Sequence, residues 1–137
     1  MKSKAKKKKI AQMNQQKRSG GASVASEWLY LAKDEISLRQ LYELFVDSEK
    51  VQANLWEEAG VLELEIPEHK SIDIELAEDN FDDVPFMAEH EVKTVLLVTI
   101  VPAEFTYASN VMKEIVEKIG GAFCEDNEDF SSMIGAL

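Results

Sequence analysis

The sequence predicts one α+β domain built on a mainly antiparallel sheet of about four strands, with helices packed chiefly on one face. Three observations carry that expectation. Residues 95–101 form a nearly unbroken apolar run, mostly β-branched, which Pro102 closes. A half-exposed strand would alternate, so this run reads as a central strand over 94–101, covered on both faces. Residues 61–76 alternate apolar with acidic residues on either side of a polar loop, the pattern of a hairpin. Lastly, Val111, Met112, Ile115, Val116 and Ile119 recur on one helical face, opposite Asn110, Lys113, Glu114, Glu117 and Lys118. Gly120-Gly121 ends that helix, because glycine has no Cβ to clash in the left-handed conformation.

In chain order, residues 1–22 are a basic arm rich in lysine and glutamine, with only Ile10 and Met13 to bury. Such a segment is expected to stay flexible alone and to turn helical on a surface or partner. The acidic domain then spans 23–137. Residues 23–33 are read as a helix from Val24, Trp28 and Leu31, although Trp28-Leu29-Tyr30-Leu31 suits a short strand equally. Ser37 and Gln40 make a capping box, with Ile36 and Leu41 as its apolar staple. Leu38, Leu41, Tyr42 and Phe45 follow on one face. Asp47-Ser48 interrupts, and Val51, Leu55 and Trp56 resume the spacing. Two helices are therefore expected, at 37–46 and 48–58, with Gly60 as the stop.

Folding the hairpin about His69 pairs Ile66 with Ile72, Leu64 with Ile74 and Leu62 with Leu76. The same register sets Glu65 opposite Asp73 and Glu63 opposite Glu75, so the outer face carries four carboxylates. Facing like charges cost about 0.2–1 kcal/mol per pair. Beyond it lie an acidic connection over 78–93, a short helix at 85–90, a strand at 122–124 and a terminal edge strand at 130–134.

Composition narrows the function classes. At 137 residues the chain is long enough to bury one core. No apolar run reaches bilayer-spanning length, and the basic N-terminus lacks the apolar stretch of a secretory signal. A lone cysteine, Cys124, excludes an internal disulfide and favours a reducing, cytoplasmic setting. Together with His69 and His90 it falls short of a standard zinc site, so no metal or cofactor is expected. Both histidines are expected at the surface, where they would titrate near neutral pH. Carboxylates around Cys124 oppose a thiolate, so it reads as a buried structural residue and not a nucleophile. Glu91-Val92-Lys93, downstream of Asp82 and Asp83, matches the acid-x-lysine spacing of some Mg²⁺-dependent nucleases, but over three residues in a chain full of acids. Catalysis is not expected.

Charge is the remaining signal. Residues 1–22 hold eight basic residues and no acid, leaving 7 basic against 26 acidic residues in the rest, a net charge of −19. Glu63, Glu65, Asp73 and Glu75 imply a non-catalytic interaction protein (an adaptor, inhibitor or immunity-type protein) that presents its acidic hairpin to a basic protein partner. The alternative is attachment to RNA or DNA through Lys4, Lys6, Lys7, Lys8, Lys9, Lys17 and Arg18. Two blander readings compete. Charge of either sign aids solubility, and the arm can fold back on the body.

Overall fold

The computed structural model describes residues 24–77, 81, 84–127 and 129–137. The basic arm lies outside these, as do Glu78, Asp79, Asp82, Asp83 and Glu128. The strands are β1 (Glu27–Ala32), β2 (Gln52–Trp56), β3 (Val61–Glu65), β4 (Ile72–Leu76), β5 (Thr94–Thr99), β6 (Ala122–Glu125) and β7 (Ile134–Gly135). The helices are α1 (Leu38–Phe45), α2 (Pro85–Glu89) and α3 (Phe105–Ile119). One sheet runs β2-β3-β4-β5-β1-β6-β7 with every pairing antiparallel. The α+β class holds, with seven strands in place of about four. None of the helices is long and apolar enough to cross a membrane, among the described residues.

The extra strands come mainly from segments read as helix. Residues 23–33 contribute β1, which lies between β5 and β6. Trp28, Tyr30 and Ala32 face one layer, while Leu29 and Leu31 face the other. All five are at most 2% exposed. A strand buried on both faces shows no polar alternation, so its period of two is invisible in sequence. The expected helix at 48–58 is instead β2. Ser48 Oγ accepts the backbone N–H groups of Lys50 and Val51, both at 3.1 Å, and the chain turns into a strand. The spacing of Val51, Leu55 and Trp56 fitted a helix, but pairing with β3 decides the matter. Gly60, at φ 66°, belongs to the β2–β3 turn and not to a helix end.

Other expectations hold locally. Gln40 N–H donates to Ser37 Oγ at 3.2 Å, and Ser37 N–H donates to Gln40 Oε1 at 2.8 Å, completing the capping box of α1. The middle strand of the seven is β5, ending at Thr99. The terminal edge strand is β7, further along and shorter than expected.

Hairpin β3–β4 has the expected inward set but a different register. Leu62 faces Ile74, Leu64 faces Ile72, Glu63 faces Asp73 and Val61 faces Glu75. The slip is two residues, which keeps every side chain on its face. Leu62, Leu64, Ile72 and Ile74 are 0–1% exposed. Burying each contributes about 1.5–3 kcal/mol, far above the cost of one facing acid pair. Parity is thus fixed by burial and the slip by the loop, where His69 N–H bonds the Ile66 carbonyl at 2.9 Å and Glu68 takes φ 68°.

The inner face of the sheet is roofed by α1 and α3 through Leu38, Leu41, Phe45, Val111, Met112 and Ile115. Trp28 stacks on Phe105 at the start of α3, with centroids 5.6 Å apart. Among the described residues, the outer face is covered only over β5, β1 and β6, by Phe81, Met87 of α2, Phe86 and Phe130 among others.

The turn after α3 sets a sharp test. Gly120 and Gly121 take φ of 80° and 82°. A Cβ at Gly120 would meet nothing within 4 Å, whereas one at Gly121 would lie 2.6 Å from Tyr30 Oη and 2.7 Å from the Leu31 carbonyl oxygen. Gly120→Ala should cost about 1–3 kcal/mol from backbone strain alone, and Gly121→Ala distinctly more. Urea unfolding of both variants measures the difference.

Candidate functional site

On the bare part of the outer face, pairing brings the hairpin carboxylates into rows. One row reads Asn54, Glu63, Asp73, Thr99 and Glu27 across β2, β3, β4, β5 and β1. Its neighbour reads Trp56, Val61, Glu75, Leu97 and Leu29. Glu65 lies beyond, opposite Gln52 of β2 and not opposite Asp73. The four carboxylates do share one face, as alternation requires. Only Glu63 and Asp73 face each other directly, because the register is shifted. The first row ends on Thr99 and Glu27, and the second turns apolar at Leu97 and Leu29, where the sheet passes under the α2 layer.

Local partners soften this charge. Asn54 Nδ2 donates to Glu63 Oε1 at 3.3 Å, and Ser71 Oγ donates to Glu63 Oε2 at 3.4 Å. Thr99 Oγ1 donates to Glu27 Oε2 at 3.0 Å. Glu65 is exposed, while Glu63, Asp73 and Glu75 are half-buried. A hollow of about 490 Å³ opens beside the hairpin loop, bordered by Gln52, Glu63, Glu65, Lys70 and Ser71. Ile66 and Pro67 add apolar surface, so its walls are mixed in character.

Two residues on this face escaped the sequence reading. Trp56 is 52% exposed at the end of β2, although it was expected in a helix core. Glu27 completes the acid row, from a segment also expected to be helical. The alternation of Gln52, Asn54 and Trp56 against Ala53 and Leu55 was the available signal.

The other candidates are placed as follows. His69 is docked against the body: its Nδ1 lies 3.2 Å from Glu104 Oε2 and its ring stacks on Tyr107, centroids 3.5 Å apart. It ties the hairpin loop to the start of α3. His90 packs beside Phe86, with centroids 4.5 Å apart. Glu91 sits in the turn after α2 at φ 55°, and the Lys93 N–H bonds the Ala32 carbonyl at 2.8 Å. Asp82 and Asp83, the other half of that acid-x-lysine pattern, lie outside the described residues, like Lys4, Lys6, Lys7, Lys8, Lys9, Lys17 and Arg18. Among the described residues no three His, Cys, Asp or Glu side chains gather as metal ligands do.

Cys124 is fully buried on β6, as its neighbours implied. Burial pushes its thiol up from 9.0 to about 12, and Asp126 and Glu125 add to the rise. Tyr30 is pushed up from 10.0 to about 12, first by burial and then by Asp34. Both groups are protonated at neutral pH.

No family model matches this chain, and none of the curated proteins or solved structures compared with it matches either.

The two raised pKa values predict a pH dependence with a definite sign. The folded state keeps both protons longer than the unfolded state, so their contribution is complete below about pH 9 and falls away as pH rises through about 12. Urea midpoints should be flat with respect to these groups near neutrality and decline above pH 9, and Cys124→Ala should delay the onset. At about pH 8, iodoacetamide should label Cys124 only after denaturant is added.

Proposed function

We propose that this chain is a non-catalytic interaction protein, an adaptor, inhibitor or immunity-type module, that presents the outer face of β2, β3 and β4 to a basic protein partner. The observation that carries this reading is the uneven covering of the sheet. The layer of Phe81, Val84, Phe86 and Met87, with Phe130 and Leu137, covers one half of the outer face. Among the described residues nothing covers the other half, which holds Glu63, Glu65, Asp73 and Glu75, with Trp56 and Val61 alongside. Carboxylates set in rows on a rigid sheet steer a cationic surface and select its register. An exposed indole beside them supplies apolar contact area and a face for a cation.

Replacing Glu63, Glu65, Asp73 and Glu75 together by lysine should abolish capture of basic proteins from lysate, while circular dichroism and the melting transition keep their folded form. Unchanged capture would remove the proposal. The association rate of the unsubstituted chain should fall as salt rises, since exposed charges more than about 10 Å apart are screened at 0.1 M.

A second reading rests on a separate observation, the eight basic residues without an acid in positions 1–22. It makes the protein nucleic-acid-associated, tethered through that arm while the acidic body recruits or regulates. Binding of RNA and duplex DNA by the full chain and by residues 23–137, at low and near-physiological salt, tests it. The expected result is binding that disappears on truncation and weakens steeply with salt, by a log–log slope of about 0.9 per phosphate neutralised on duplex DNA. Equal binding by both forms, or none, counts against the arm.

A further inference from the structure

We infer that the open edge of β2 is a docking site for an extended basic segment of a partner protein, which joins the sheet as an eighth strand. This deepens the acidic-face reading and rests on it: the carboxylates choose the partner, and the strand edge holds it.

The edge comes first. Strand β2 ends the sheet order, so among the described residues only β3 pairs with it. Its other side presents backbone donors and acceptors to whatever lies alongside. Natural sheets blunt such edges with lysine, proline, a bulge or extreme shortness. The far edge follows that rule, because β7 is two residues long. Strand β2 does not. Gln52-Ala53-Asn54-Leu55-Trp56 has neither charge nor proline, in a chain that is 30% charged, and pairs with β3 at five consecutive positions without a bulge.

A groove follows that edge. It has a volume of about 320 Å³ and is lined by Arg39 and Tyr42 of α1 together with Ala53, Asn54, Leu55 and Trp56. The Arg39 head is paired with Glu57 and lies 6.0 Å from the Tyr42 ring centroid, so its charge is already engaged. Inward side chains of an added strand would sit beside Ala53 and Leu55, under α1, in a groove whose walls are mostly polar and that has room for small side chains.

Charge then selects the occupant. Outward side chains of the added strand would flank Gln52, Asn54 and Trp56. Glu65 and Glu63 lie opposite Gln52 and Asn54 on β3, two strand spacings from the newcomer, or about 9.6 Å. An extended lysine or arginine leaning across the short amide side chains meets those carboxylates, and one beside Trp56 meets the indole face. The matching segment alternates basic with small apolar residues. Main-chain pairing would supply the affinity and the alternate side chains the specificity.

The test uses the full chain and the peptide Lys-Val-Lys-Val-Lys-Val-Lys, beside the same peptide N-methylated at every residue. Methylation keeps the charge and removes the backbone donors. The unmodified peptide should bind and slow hydrogen exchange of those backbone amides in 52–56 that point away from β3. The methylated one should bind at least tenfold more weakly, as should the unmodified peptide with Glu63→Gln/Glu65→Gln protein. Equal binding of both peptides without protection of 52–56 overturns the edge site and leaves the acidic-face reading standing. Binding of neither overturns both. Protection, without peptide, of those amides in 52–56 that point away from β3 also overturns the proposal: if it grows with protein concentration the occupant is a second copy, and if not it is the chain's own arm.

Discussion

Tyr30 donates its phenolic hydrogen to the Gly120 carbonyl at 2.8 Å, and its hydroxyl fills the space that any side chain on Gly121 would need. That contact joins the first strand of the chain to the turn where α3 becomes β6. Gly135 of β7 presses on the same turn, since a Cβ there would lie 2.7 Å from the Gly121 carbonyl oxygen. Strand β1 is thereby clamped between β5 and β6, two strands that run parallel to each other with α3 as their connection. Because β1 is buried on both faces, the sheet needs a cover on each side. Among the described residues the inner cover spans most of the sheet and the outer one only half. The bare acidic face is what that economy leaves.

The face is unusual in what its charges sit upon. Acids in loops are solvated and move freely, whereas Glu63, Asp73 and Glu75 stand on strands whose opposite sides are locked into the core by Leu62, Leu64, Ile72 and Ile74. Their spacing is therefore set by the pleat, and side-chain partners such as Asn54 and Ser71 restrict Glu63 further. Fixed charge discriminates between cationic surfaces better than mobile charge, because it cannot adjust to the wrong register.

How much of this was legible in the sequence varied with the physics of each segment. Alternation in 61–76 gave the hairpin and the face of every carboxylate, since parity is a local property. Which acid faces which was hidden, because a two-residue slip leaves the pattern unchanged and only the loop geometry around Glu68 decides it. The capping box of α1 was readable from Ser37 and Gln40 alone. Strand β1 was not, as residues apolar on both sides carry no period. Strand β2 was misread because the positions of Val51, Leu55 and Trp56 satisfied a helix and only the distant pairing with β3 overruled it. The site inherited this split: its hairpin acids were visible, while Trp56, Glu27 and the open edge came from the two misread strands.

The place of β1 also bears on how the chain reaches its fold. The strands β2, β3 and β4 are joined by short turns and pair with near neighbours, so they can assemble from local sequence. Strand β1 leaves the ribosome before them, yet its partners are Thr94–Thr99 and Ala122–Glu125. Closing loops that long is entropically slow. Until Thr94–Thr99 has been synthesised, Trp28, Leu29, Tyr30 and Leu31 have no sheet to enter. The strand with the longest buried run among the described residues is thus made before most of its partners and buried after them. During that interval it is the segment that most needs shielding from other nascent chains.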